Sequence, residues 1–137
     1  MNDQSHYRVS VKGIVIDNTK RFLLSKKNNG KWDFLGGGIN HNEDPIEALR
    51  REVKEETGLE IIYISPTPKY FITASKFKRE GYIANVIYEI KLRNLEFTPS
   101  DECVEFRFFS SDEAKKEDIY PQVEIFIKVF NPRLHTN

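Results

Sequence analysis

Residues 37–59 read GGINHNEDPIEALRREVKEETGL, and this stretch decides the fold. Its second half has the punctuation of one helix. Asp44 suits the N-cap, Pro45 the first helical position, and Glu47 stands where a capping box needs its acid. Gly58 falls where a left-handed residue ends a helix, and Leu59 follows for the apolar contact of that motif. The signals predict a helix over 45–57. On a wheel of about 100° per residue, with Glu52 at zero, Glu56 falls near 40° and Glu55 near −60°. Leu49, Val53 and Ile46 occupy roughly 60° to 120°, so the apolar stripe adjoins the carboxylates. Three acids on one face repel one another and crowd the end of the helix where its dipole disfavours anions. A divalent cation reverses that sign, and hard oxygen ligands of this kind suit Mg²⁺ or Mn²⁺. Arg51 is placed to hold Glu55 or Glu43.

Alone, E-V-K-E-E reads as a solvated, salt-bridged helix face. The offsets around it say more. Gly37, Glu43, Arg51, Glu52, Glu55, Glu56 and Gly58, with Val53 and Leu59 in two apolar slots, form a fixed pattern that resembles the Nudix box of MutT-like hydrolases. The resemblance implies the Nudix fold, an α/β/α sandwich around a mixed β-sheet. It also implies a Mg²⁺-dependent pyrophosphohydrolase, with Mn²⁺ as a substitute, that cleaves a phosphoanhydride in a nucleoside diphosphate linked to another group. By the same resemblance Glu52, Glu55 and Glu56 are metal ligands and catalytic acids, and Arg51 and Glu43 organise the box. Gly37 and Gly38 face substrate, and Lys26, after a strand, is a basic substrate contact. Glu102, just before a strand, stands where several members place a further catalytic glutamate, with Glu105 as its rival. Three positions depart from the wider pattern: Leu35 stands for a proline, Asn40 for a glutamate, and Asn42 for a glycine. Asn42 is the substitute best able to adopt a left-handed conformation.

Outward from the box, strands are expected at 7–16, 21–26, 60–64, 70–74, 82–92 and 103–109 from alternation and β-branched content. Trp32 to Leu35 is a short apolar segment leading to a Gly36-Gly37-Gly38 run, whose bare backbone can pass close to the helix and offer N–H groups to phosphate. A short helix opens at Ser111, and Val123, Phe126, Ile127 and Phe130 sit at helical spacing near the end. The 137 residues suit a single domain over 1–137, with 1–5 and 132–137 as frayed termini.

Acidic and basic residues balance at 21 each, which gives no global field for nucleic acid. The partner that the resemblance implies is a small-molecule nucleotide, and neither nucleic acid nor membrane is expected. The single Cys103 excludes an internal disulfide framework. With no signal-like start and no membrane-length apolar run, the cytoplasm is the expected location. His6, His41 and His135 show no ligand spacing. Two other functions compete. A diphosphate isomerase on the same fold needs a cysteine–glutamate pair and greater length, and only Cys103 is present. A non-catalytic nucleotide sensor usually loses box acids, and none is lost here. No downstream run marks NADH, coenzyme A or ADP-ribose as substrate, and Pro66 and Pro68 do not match the ADP-ribose pattern.

Overall fold

The computed structural model describes residues 6–135. Strand β1 (Tyr7–Ile14) runs parallel to β7 (Tyr82–Leu92) and antiparallel to β4 (Leu35–Gly38). Strands β5 (Ile61–Ile64) and β6 (Tyr70–Ser75) both pair antiparallel with β7, which makes the sheet mixed. A second, antiparallel sheet has the order β3 (Trp32–Asp33), β2 (Phe22–Lys26), β8 (Glu105–Phe109). The two sheets meet where the Leu23 N–H donates to the Val15 carbonyl at 3.0 Å.

Helix α1 (Pro45–Thr57) covers one side, and α2 (Ser111–Ala114) with α3 (Pro121–Val129) covers the other. This is the α/β/α sandwich expected. Each side has its own core. Leu49, Val53, Leu23, Leu35 and Ile90 pack under α1. Phe22, Phe34, Trp32, Ile87 and Phe126 pack under α3, and Phe22 and Phe34 each meet Phe126 edge-on at 5.1 Å. Such edge-on ring pairs add to simple area burial. No helix among the described residues is long and apolar enough to cross a membrane.

The glycine run, given no element by the sequence, is strand β4, and its backbone without side chains fits between β1 and α1. Gly36 has φ +115°, and a Cβ there would collide with the Val11 carbonyl. The end of the chain, expected to fray, is tied down as far as it is described. Pro132–Leu134 forms a 3-10 turn, and His135 is 1% exposed. Its Nδ1 lies 2.7 Å from Glu89 Oε1 and its Nε2 lies 2.8 Å from the Tyr70 hydroxyl. A polar histidine near a chain end gives no periodic signal, so this anchor was invisible in the sequence. Residues 1–5, 136 and 137, expected to fray, lie outside the described residues.

Candidate active site

Helix α1 starts and stops as its sequence dictates. The Asp44 carboxylate accepts from the Ile46 N–H at 2.9 Å, and Gly58 is left-handed at φ +76°. Asn42, in the glycine's place, has φ +63°. The position on the wheel then sets each acid's environment. Glu56, nearest the apolar stripe, is 3% exposed. Glu52 has an 18% exposed side chain, and Glu55, furthest round, 54%.

The structure brings Glu52 and Glu56 together with Glu102, not with Glu55. One carboxylate oxygen from each of the three lies within 4.8 Å of the others. Glu102 arrives on a tight turn in which Ser100 and Cys103 exchange backbone hydrogen bonds. The Ser100 hydroxyl donates to the Glu56 carbonyl at 2.8 Å and accepts from the Glu102 N–H at 3.2 Å, so it fastens this turn to the end of α1. Glu105 points elsewhere and pairs with Arg107 at 3.0 Å. Glu55 faces solvent and pairs with Arg51 Nη1 at 3.3 Å.

Arg51 is the organiser of the loop before the helix. Its Nε and Nη2 donate to the two Glu43 oxygens at 2.8 and 3.0 Å, and Nη2 also reaches the Gly38 carbonyl at 3.2 Å. Nη1 lies 3.3 Å from Glu52. The guanidinium, with help from the Asn40 N–H, holds the Glu43 carboxyl down to about 2. This bidentate pair fixes helix, loop and strand to one another.

The glycines give the acids their places. A Cβ on Gly37 would sit 2.6 Å from the Glu52 carboxyl carbon, so only glycine leaves room for that side chain. The Gly36 N–H donates to Glu56 Oε1 at 2.9 Å and is therefore not free for phosphate. Burial pushes Glu56 up to about 7, against the pull of Lys27, the Gly36 N–H and Lys12. Lys27 lies 3.6 Å from Glu56 Oε2 and 3.4 Å from the Glu102 carbonyl. Burial works against the Lys27 charge too, but attraction to Glu56, Asp33 and Glu102 outweighs it and raises the ammonium.

Lys26 lies elsewhere, with Nζ 5.8 Å from the Trp32 ring centre. Side chains alternate along a strand and its exit, so the basic group at the acids is the next residue, Lys27. Trp32 itself is a core residue. Cys103 is buried, and its thiol is pushed up to about 12, chiefly by burial, which keeps it protonated and inert.

Beside the acids opens a cleft of about 370 Å³. Arg8, Lys12, Lys27, Lys76 and Arg79 line it with positive charge, Gly37 and Gly38 form part of its wall, and Phe77 and Tyr120 bring aromatic surface. Only Lys27, next to the expected Lys26, had any signal in the sequence. The other cations come from strands and a turn distant in the chain.

Comparison with known proteins agrees with this architecture. The NUDIX domain family model matches residues 6–130. The chain belongs to the Nudix family and is a hydrolase of its MutT-like kind. An RNA pyrophosphohydrolase of Histophilus somni is 33% identical over 129 residues, covering 80% of this chain and 67% of that protein. A nucleoside triphosphatase NudI of Escherichia fergusonii is 29% identical over 118 residues, covering 77% of this chain and 84% of that protein. Some other RNA pyrophosphohydrolases match over less, as in Saccharophagus degradans, where 61 residues at 43% identity span 36% of that protein. Among solved structures, the MutT Nudix hydrolase of Burkholderia pseudomallei superposes with TM-score 0.74 at 17% identity, over 93% of this chain and all of that one.

Proposed function

We propose that this chain is a Mg²⁺-dependent pyrophosphohydrolase that cleaves a phosphoanhydride in a nucleoside diphosphate derivative, with nucleoside triphosphates as the leading class. The observation that carries the reading is the convergence of Glu52, Glu56 and Glu102 beside Lys27 and Gly37, which line a cleft together with four further cations. Three carboxylates without a cation repel one another, whereas their hard oxygens fit Mg²⁺ or Mn²⁺. A cation held there would neutralise the diphosphate and lower the pKa of an attacking water.

The chain's own groups do the rest. Arg8, Lys12, Lys76 and Arg79 attract and align the phosphates, and Lys27 sits between the cleft and the acids. Glu56, raised by burial in the metal-free protein, would lose its proton when a cation binds and hold that cation as a carboxylate. Arg51 keeps Glu52 in position from outside the cluster. Glu55, paired with Arg51 in solvent, supports Arg51 here and reaches a cation only through a change of rotamer.

The test is a panel of nucleoside triphosphates, dinucleoside polyphosphates, nucleotide sugars and a 5′-triphosphorylated oligonucleotide, each with Mg²⁺, Mn²⁺ or chelator. Anhydride cleavage that chelator abolishes is the expected result. The named relatives make the oligonucleotide a necessary member. Preference for it over every free nucleotide would replace the small-molecule substrate by an RNA end. Full turnover in chelator would refute the metal mechanism. Binding without turnover of any member would leave the sensor reading.

A further inference from the structure

Beneath the basic cleft lies one polar side chain whose hydrogen-bonding capacity is unused. On β7, Ile83, Asn85 and Ile87 share one face of the sheet. Ile83 lines the cleft and Ile87 belongs to the core under α3. Asn85 lies between them. Its partner across the β1–β7 ladder is Ser10, which also lines the cleft. Paired residues on adjacent strands present their side chains to the same face. The Asn85 side chain therefore lies just beneath the cleft surface, and it is 0% exposed.

Neither its nitrogen nor its oxygen has a hydrogen-bond partner, the one such side chain among the described residues. Other polar groups at the cleft pair among themselves rather than with it. Gln122 Nε2 donates to both Asp33 oxygens at 3.0 and 3.1 Å, and Asp33 also accepts from the Phe34 N–H at 2.7 Å. Lys12 lies 3.8 Å from Asp33. A buried carboxamide with all its capacity unspent is costly to the fold, and natural proteins hold few such groups. An apolar residue of the same size would serve the packing better.

We propose that the Asn85 carboxamide reads the edge of the substrate's nucleobase; this rests on the nucleotide-hydrolase reading above. A carboxamide offers one acceptor beside two donor hydrogens, which matches the adjacent donor and acceptor on a base edge. A turn of the amide plane presents either order. The surroundings suit a base. Phe77 and Tyr120 meet edge-on at 5.3 Å on the cleft wall and offer rings for stacking, while Lys27, beside Glu56 and Glu102, marks the side of the cleft where the phosphates would meet the acids. Rotamer changes at the floor, common when ligands bind, bring the amide into reach.

The test uses ligands without an anhydride, so that it is independent of turnover. The four nucleoside 5′-monophosphates and ribose 5-phosphate are titrated into the wild type and Asn85→Leu by calorimetry. At least one monophosphate is expected to bind the wild type about tenfold or more tightly than ribose 5-phosphate. In Asn85→Leu that advantage should fall about five- to a hundredfold, or to the residue left by stacking, as for loss of a bidentate base contact. Ribose 5-phosphate itself should bind unchanged. In the wild type, the side-chain amide resonances of Asn85 should shift with the best-binding monophosphate and not with ribose 5-phosphate, a readout that stands even if the variant fails to fold. An unchanged base advantage in Asn85→Leu, no base advantage in the wild type, or unmoved Asn85 resonances would overturn the proposal. Failure of the hydrolysis panel with these results intact would remove the enzyme reading and leave base recognition standing.

Discussion

Glu56→Gln should make the metal-free protein more stable at neutral pH while stopping turnover. Burial raises the Glu56 carboxyl from 4.5 to about 7 in the folded state. Between those values the native protein holds a proton that the unfolded chain has released. Stability therefore falls as pH rises through that window. A shift of about two and a half units, at about 1.4 kcal/mol each, amounts to roughly 3 kcal/mol, reached in full above pH 7. Glutamine keeps the carbonyl that accepts the Gly36 N–H and carries no charge to bury. The variant avoids that cost, less what Lys27 loses with its partner. The net gain is about 2 kcal/mol, or about 8 °C in Tm for a domain of this size. Melting curves in chelator from pH 4.5 to 8.5 should show the two proteins together at the acid end and the variant above at the alkaline end. Saturating Mg²⁺ should narrow or reverse the gap, because a cation that binds the native wild type stabilises it by mass action. A pH-independent gap, or a variant that melts lower at pH 8 without metal, would refute the assignment of a buried, strained carboxylate.

The remaining predictions probe the scaffold around that acid. Arg51→Ala should cost stability and rate together. It should also remove a component of the acid limb, because Glu43, depressed to about 2, contributes stability above pH 4.5 that disappears as pH falls towards 2; identical acid titrations of wild type and variant would contradict the Arg51–Glu43 staple. Gly36→Ala and Gly37→Ala should separate. The first forces a Cβ onto the Val11 carbonyl at a left-handed φ and should lower Tm by the equivalent of roughly 2 kcal/mol or more. The second displaces only the end of the Glu52 side chain, so it should fold normally and lose kcat. Glu102→Gln should leave Tm in chelator near wild type and weaken Mn²⁺ binding about tenfold or more, read by calorimetry; unchanged Mn²⁺ affinity would remove Glu102 from the cluster.

How much of this was legible depends on where each signal resides. Helix α1 was readable almost to the residue, because its caps, its stripe and its terminating glycine are local chemistry. The strands were located by alternation, with errors of one or two residues at their ends. The glycine run carried no strand signal because its strand character comes from its neighbours. Three glycines have no β propensity of their own, and only the need to fit between β1 and α1 makes them extended.

The site divides along the same line. The wheel placed Glu52 and Glu56 on the shared face, but a wheel has no surface drawn on it. Where the sheet cuts the sector of three acids decides that Glu56 is buried, Glu52 half-covered and Glu55 in water. That cut belongs to tertiary packing. Glu102 was selected over Glu105 by resemblance alone. The structure supplies the physical reason, since the Ser100 hydroxyl fixes the turn to the end of α1 while Glu105 is spent on Arg107. Lys27 and Lys26 differ by one residue, and in a strand one residue means the opposite face. Asn85 had no signal at all: a lone asparagine in an apolar strand reads as an ordinary polar position. It becomes conspicuous only when the buried polar atoms are checked one by one and both of its own lack a partner. The α1 acids proposed for the chemistry are written locally in the sequence, and Glu102 reaches them from a distant turn. The groups proposed to choose the substrate are assembled from β1, β7, the β6–β7 turn and the start of α3, so they emerge only from the fold.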